Sequence, residues 1–104
     1  NESVYAMRFD ELTEKSYYDF THPIIDEGEY EFNLFYVADK CGTDATLFID
    51  GENVGTFSSK SSFQERRVFS ITHHFSKGNH LFKVVPASGN SCLMLDSVEA
   101  EIID

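Results

Sequence analysis

Apolar and polar side chains alternate along nearly the whole chain, and this alternation restricts the fold more than any other feature. A period of two residues is typical of a β-strand with one buried face, whereas an amphipathic helix repeats about every 3.6 residues. The clearest example is residues 29–38, where Tyr30, Phe32, Leu34 and Tyr36 share one face. No stretch shows a convincing helical repeat, so the pattern predicts an all-β protein.

Turn signals divide the chain into a series of short strands. We predict roughly eight of them, a number that suits a two-layer jelly roll. They cover residues 3–9, 16–20 with 23–25, 29–38, 45–50, 54–57, 67–72, 80–86 and 91–103. The tetrapeptide Asp50-Gly51-Glu52-Asn53 is typical of a β-hairpin. With 104 residues the chain is expected to be one antiparallel β-sandwich domain spanning residues 1–104.

The charge of the chain restricts its partners. Eighteen acidic and eight basic residues give a formal net charge of −10. Nucleic acid and anionic membrane surfaces are therefore not expected partners, because both require a basic patch. The only adjacent basic pair is Arg66-Arg67, and no apolar window approaches the length that spans a membrane.

The two cysteines, Cys41 and Cys92, are far apart in sequence and lack the CxxC spacing of zinc or thioredoxin-like sites. Two interpretations stay open. They form one disulfide in an oxidising compartment, or they are two buried thiols.

The last predicted strand carries one acid, Asp96, at the same parity as Met94, Val98, Ala100 and Ile102. This parity predicts that Asp96 lies on the core face. A buried carboxylate must be hydrogen-bonded or bound to a metal, because an unpaired buried charge is costly. Hard oxygen ligands of this kind suit a structural calcium ion, and the candidate ligands are Asp96, Asp10 and Glu11. The alternative is an acidic surface that needs no metal.

Four short motifs follow one another in a characteristic order between residues 24 and 102. They are Gly28-Glu29-Tyr30, Phe48-Ile49-Asp50-Gly51, Lys77-Gly78-Asn79-His80 and Leu95-Asp96-Ser97-Val98. This order resembles the carbohydrate-binding modules of families 6 and 35 and the wider galactose-binding-like jelly rolls. The resemblance implies a non-catalytic module that binds polysaccharide or oligosaccharide. It also implies a place in a larger multimodular protein, a secreted carbohydrate-active enzyme or an adhesin at the cell surface.

Sugar recognition requires an aromatic face for the C–H side of the ring and polar groups for its hydroxyls. The chain has no Trp, so the candidate stacking residues are Tyr17, Tyr18 and Tyr36. The alternative for each of the three is an ordinary core or surface tyrosine with no role in binding. The resemblance assigns ligand contact to Asn90, in the loop before the last strand. The alternative role for Asn90 is that of a turn residue.

A second candidate platform is the outer face of the central strands. Phe35 and Phe48 are predicted to form one exposed apolar patch there, unless a loop covers them through Phe63. The polar residues Asn33, Thr46 and Lys83 would rim a groove along this patch. The same patch supports an alternative function, a protein-interaction or structural β-sandwich of a surface or assembly protein.

The sequence contains little that indicates catalysis or transition-metal binding. The chain has no Gly-x-Ser-x-Gly elbow, no His-Glu-x-x-His and no phosphate loop, so no enzymatic activity is expected. His73 and His74 are adjacent, and adjacent residues on a strand point to opposite faces. We therefore predict that they are exposed loop histidines and not metal ligands.

Overall fold

The computed structural model describes the backbone of residues 4–8 and all of residues 18–88 and 93–103. Eight β-strands occur in these segments: β1 (Val4–Arg8), β2 (Tyr18–Ile24), β3 (Gly28–Ala38), β4 (Asp44–Ile49), β5 (Glu52–Ser58), β6 (Glu65–Phe75), β7 (Gly78–Pro86) and β8 (Met94–Ile102). None of the described segments forms a helix that could cross a membrane.

The strands form two four-stranded sheets. The first sheet has the order β1-β8-β3-β6, and the second sheet has the order β2-β7-β4-β5. Every neighbouring pair is antiparallel. The predicted antiparallel β-sandwich of roughly eight strands is therefore confirmed.

The core lies between the two sheets and contains the alternate residues of the central strands. On β3 the predicted inward residues, Tyr30, Phe32, Leu34 and Tyr36, are all buried. Phe82 of the second sheet stacks on Phe32 of the first, with ring centroids 5.1 Å apart. Aromatic rings in such offset stacks stabilise the fold by more than the burial of their surface alone would give. This contact therefore helps to fasten one sheet to the other.

The largest differences between the predicted and the observed strand boundaries are in β2 and β6. β2 is continuous from Tyr18 to Ile24, where two separate extended pieces were predicted. β6 extends to Phe75, so His73 and His74 lie on a strand and not in a loop. The reason is pairing with β3, which continues in unbroken register until Gly28 meets Phe75. Hydrogen bonds to β3 therefore extend β6 beyond the residues whose local sequence indicates a strand.

The prediction that Asp96 lies on the core face is wrong, because the register of β8 shifts beside it. Phe35 pairs with Ser97 and Tyr36 pairs with Leu95, so Asp96 has no direct partner on β3. Such a β-bulge places two residues opposite one and reverses the alternation. Leu95 is consequently the buried residue at 0% exposure, and Asp96 instead contacts Arg66.

Candidate functional site

A depression of about 400 Å³ lies at one end of the first sheet, where β3 ends and where β6 and β8 begin. It is lined by Val37, Gln64, Glu65, Arg66 and Met94. Its volume falls within the range of small-ligand sites, about 300–1,000 Å³. Val37 and Met94 supply apolar surface, while the other three side chains supply an amide, a carboxylate and a guanidinium group.

Two adjacent arginines at the start of β6 have different roles because side chains alternate along a strand. Arg66 points to the outer face, where 70% of its side chain is exposed and it forms an ion pair with Asp96. Arg67 instead donates from Nε to Oε2 of Glu65 at 2.7 Å and from a terminal nitrogen to the carbonyl of Ser58 at 3.1 Å. Arg66 is therefore the guanidinium group available to a ligand, and Arg67 is a structural residue.

The loops beside the depression are fastened to each other through Ser59. Its amide donates to the carbonyl of Thr43 at 2.9 Å, and its carbonyl accepts from the amide of Asp39 at 2.9 Å. Its hydroxyl also donates to the carbonyl of Thr43 and accepts from the Thr43 amide. Cys41 in the same loop is disulfide-bonded, and the chain has one other cysteine, Cys92, which lies outside the described residues. This end of the sandwich is thus held by several independent links.

Two of the predicted stacking tyrosines lie in the core. Tyr18 and Tyr36 are each only 4% exposed. The Tyr18 hydroxyl donates to the carbonyl of Leu93 and accepts from the amide of Leu95, both at 3.3 Å. The Tyr36 hydroxyl donates to the carbonyl of Ser58 at 2.9 Å. Burial raises the pKa of both tyrosines. Neither ring presents a face to solvent.

Four other predicted site residues lie outside the described residues, so the structure says nothing of them. They are the proposed ligand residues Tyr17 and Asn90 and the proposed calcium ligands Asp10 and Glu11. The third calcium candidate, Asp96, is bound by Arg66. Among residues 18–88 and 93–103, no group of three or more His, Cys, Asp or Glu side chains is arranged to hold a metal ion.

The predicted joint patch of Phe35 and Phe48 does not exist, because the two residues lie on opposite outer faces of the sandwich. Phe35 belongs to β3 in the first sheet and Phe48 to β4 in the second. The predicted rim is divided in the same way. Asn33 lies on the first sheet and accepts a hydrogen bond from Ser70 at 2.5 Å. Phe63, the side chain that was predicted to cover these rings, is itself 62% exposed, so it does not pack closely over either of them.

The remaining rim residues belong to the outer face of the second sheet. Lys83 lies directly opposite Phe48 in the register of β4 and β7. Thr46 lies across from Thr56, and their hydroxyls are 3.3 Å apart. Leu81 and Val85 are exposed on the same face. The alternative protein-interaction function was based on the joint patch, which the structure does not form. The surface that remains for it is the smaller patch around Phe48 and Lys83.

His80 and Asp50 resemble an acid–base pair but serve a structural purpose. Nδ1 of His80 lies 2.5 Å from Oδ2 of Asp50, and Nε2 lies 2.7 Å from the carbonyl oxygen of Ser76. Both neighbours offer acceptor oxygens, so this arrangement favours the charged imidazole, in which both ring nitrogens donate. Burial lowers the pKa of His80, but the hydrogen bonds to Asp50 and Ser76 outweigh burial and raise it above the ordinary value. Neither nitrogen is left to accept a proton from a substrate.

Comparisons with known proteins find the fold but no family by sequence. No protein-family model matches the chain, and no curated protein matches it. Solved structures do match. One is dimeric latent PorU from Porphyromonas gingivalis, with a TM-score of 0.75 and 11% identity, where the match covers 96% of this chain and 12% of that protein.

Carbohydrate-binding modules match over nearly their whole length. The CBM36-1 domain of a multidomain xylanase from the hindgut metagenome of Trinervitermes trinervoides has a TM-score of 0.64 and 18% identity, with 96% of each chain covered. A CBM36 module in complex with calcium and xylotriose has a TM-score of 0.58 and 15% identity, with 96% and 93% covered. Family 35 modules also match. At these identities the comparisons confirm the fold that the resemblance implied.

Proposed function

We propose that this chain is a non-catalytic carbohydrate-binding module that binds polysaccharide or oligosaccharide in the depression lined by Arg66. The observation that carries the proposal is the composition of that depression. Met94 and Val37 offer apolar surface to the C–H groups of a sugar ring. The amide of Gln64 and the guanidinium of Arg66 offer donors to its hydroxyls, and the carboxylate of Glu65 offers an acceptor.

Asn90 belongs to the proposal because of its place in the chain. It lies in the segment between Ser88 and Leu93, immediately before the strand that supplies Met94 to the depression. The described lining residues include no aromatic ring. We therefore propose that hydrogen bonds, more than stacking, select the sugar.

Three further properties complete the proposal. The protein is extracellular or at the cell surface, which agrees with a disulfide at Cys41, since disulfides persist in oxidising compartments. It is one module of a larger protein, as is the CBM36-1 domain of the xylanase. It performs no catalysis, which agrees with the engagement of both His80 nitrogens by structural acceptors.

The proposal includes a structural calcium ion. One CBM36 neighbour is a calcium complex. Asp96 does not fit the role of a calcium ligand in this arrangement, because Arg66 already neutralises its carboxylate. Within the proposal the calcium ligands are therefore Asp10 and Glu11, and Asp96 is assigned to the ion pair.

The test is affinity electrophoresis of the isolated chain through gels that contain different soluble polysaccharides, with calcium or with EDTA. We expect one class of glycan to retard the protein. Gln64→Ala and Arg66→Ala should lose about tenfold or more in affinity, because each removes a hydrogen bond to the sugar. Lys83→Ala, on the second sheet, is the matched control and should be retarded like the parent protein. Retardation that survives both substitutions in the depression would contradict this site, and no retardation by any glycan would contradict the function.

A further inference from the structure

Arg66 reaches across the first sheet to a partner two strands away. It lies on β6, directly opposite Val37 of β3, and Met94 of β8 lies opposite Val37 on the other side. The guanidinium group of Arg66 donates from a terminal nitrogen to the carboxylate of Asp96 on β8. The side chain of Arg66 therefore extends past the apolar residues of the depression and is held at its far end by a carboxylate.

A β-bulge places Asp96 where it can accept this hydrogen bond. In unbroken alternation Asp96 would share the core face with Val98 and Ala100, which are both buried. The register of β8 shifts beside Asp96, so the side chain reaches Arg66, and it is only 16% exposed there. Bulges are common next to functional sites, where they redirect one side chain. The distortion of the sheet thus supplies a fixed partner for the guanidinium group of the depression.

The charges at the depression balance. Glu65 lines it and accepts from Nε of Arg67 at 2.7 Å, and Arg66 lines it and is paired with Asp96. These four side chains carry two positive and two negative charges. The other described lining residues are uncharged, namely Val37, Gln64 and Met94. The four residues at positions 89–92, just before Leu93 in the chain, include no charged residue. The lining therefore offers hydrogen-bonding groups whose charges already have opposite partners.

We infer that Asp96 makes this module select neutral glycans and discriminate against glycans that carry uronic acids. The inference rests on the proposed function and names the substrate class of the same depression. A uronate carboxylate would have to displace Asp96 from Arg66, and it would meet the carboxylate of Glu65 beside it. Like charges that penalise the wrong ligand are a common source of specificity. The hydroxyls of a neutral sugar require no displacement, because a guanidinium group has five N–H donors and Asp96 occupies one of them.

The experiment is titration calorimetry of the parent chain and of Asp96→Asn with matched pairs of soluble polysaccharides. The probes are galactomannan, mixed-linkage β-glucan, arabinoxylan and arabinogalactan, each as the neutral polymer and as its partly carboxylated derivative. The parent chain should bind the neutral form more tightly. Asparagine keeps the shape of the side chain and one acceptor oxygen, but it leaves the charge of Arg66 without an opposite partner. The affinity for the carboxylated form, relative to the neutral form, should therefore rise at least about tenfold.

Three controls separate this effect from a general change of charge or structure. Asp19→Asn removes the same charge from an exposed position on β2 of the second sheet and should leave the relative affinity unchanged. The double variant Asp96→Asn, Arg66→Ala should lose the gain, because the gain depends on the guanidinium group. The gain should also shrink in about 1 M salt, where the screening length is about 3 Å.

The outcomes distinguish this inference from the proposed function. A parent chain that binds the carboxylated form as well as the neutral form would overturn the inference and leave the function intact. So would an unchanged relative affinity in Asp96→Asn, an equal rise in Asp19→Asn, or a gain that persists without Arg66. If neither the parent chain nor Asp96→Asn binds any of the polymers, the proposed function is contradicted, and the inference with it.

Discussion

The acceptors on either side of the His80 imidazole stabilise its charged form. Asp50 also accepts from the amide of Leu81 at 2.9 Å, so one aspartate ties the hairpin between β4 and β5 to β7. Burial raises the pKa of Asp50, but its hydrogen bonds with His80 and Leu81 outweigh burial and lower it. Two other histidines face the pair, His22 across β2 and β7 and His73 on β6.

These shifts predict how stability depends on pH. His80 has a raised pKa, so its contribution is complete below about 6.5 and is lost as the pH rises through the folded-state value. Asp50 has a lowered pKa, so its contribution is complete above 3.8 and is lost as the pH falls through its own folded-state value. His22 acts in the opposite sense to His80, because burial lowers its pKa. Asp50→Asn should therefore cost about 1–2 kcal/mol near pH 5.5, at the low end because the carboxylate is half exposed, and less near pH 9.

Urea unfolding of the parent chain and of Asp50→Asn, at several values of pH, measures this difference. Comparison of the two proteins removes the contribution of His22, which both retain. A difference in the free energy of unfolding that is constant from pH 5 to pH 9 would contradict the assignment of a charged His80.

Gly42 lies directly against the backbone of Ser59 in the loops near the depression. A Cβ atom at this position would lie 1.8 Å from the carbonyl oxygen of Ser59, a backbone atom that already accepts from Asp39. Gly42→Ala should therefore cost more than about 3 kcal/mol, because relief of the overlap breaks the hydrogen bonds around Ser59. Thermal unfolding measures the cost. Gly51→Ala is the control, since Gly51 has a φ of +86° but open space around it, and about 1–2 kcal/mol is expected there. Equal costs at the two glycines would show that the overlap at Gly42 relaxes freely.

At the scale of the elements, a period of two predicts strands well and predicts their neighbours poorly. The inward residues of β3 were predicted correctly because its alternation is unbroken. Asp96 was predicted on the wrong face because a bulge adds a residue to β8, and no local feature of the sequence indicates that bulge. Phe35 and Phe48 were joined wrongly because alternation separates inside from outside but does not say to which sheet a strand belongs.

The depression was not predicted for a related reason. Val37, Gln64 and Met94 are far apart in sequence and meet only because β6 and β8 both pair with β3. The adjacent pair Arg66-Arg67 was the one visible signal, and its division into an exposed residue that lines the depression and a structural residue follows from the alternation of β6. Sites assembled from the ends of several strands leave no contiguous motif.

The stack between the two sheets yields a prediction at the same scale. Phe82 packs on Phe20 of its own sheet at 5.2 Å and on Phe32 of the other sheet at 5.1 Å. Phe82→Ala should cost about 3–5 kcal/mol, because it removes a fully buried ring and leaves a cavity at the junction of the sheets. Urea unfolding measures the cost. Leu81→Ala on the exposed side of the same strand should cost less than about 1 kcal/mol, and a similar loss at both positions would contradict the inward orientation of Phe82.

At the scale of the whole molecule, stability depends on how a small two-layer core is supported at its ends. A domain of 104 residues buries a modest fraction of its surface, so a covalent link contributes a large share of its net stability. At one end the charged pair of His80 and Asp50 ties the hairpin to β7. At the other end the loops around Ser59 and the disulfide of Cys41 lie beside the depression.

The disulfide should therefore control both stability and glycan binding. Cys41→Ser should lower the free energy of unfolding by about 2–4 kcal/mol, because it releases a constraint on the unfolded chain. It should also weaken retardation by glycan, since the loop that carries Cys41 is bonded to the loop that leads into Gln64.

Thermal unfolding with and without reductant, followed by affinity electrophoresis of the folded variant, measures the two effects separately. Thiol titration of the unfolded parent chain should find free thiols only after reduction. A parent chain whose unfolding temperature is the same with and without reductant would contradict a stabilising disulfide, whereas a destabilised variant with undiminished retardation would show that the depression is formed independently of it.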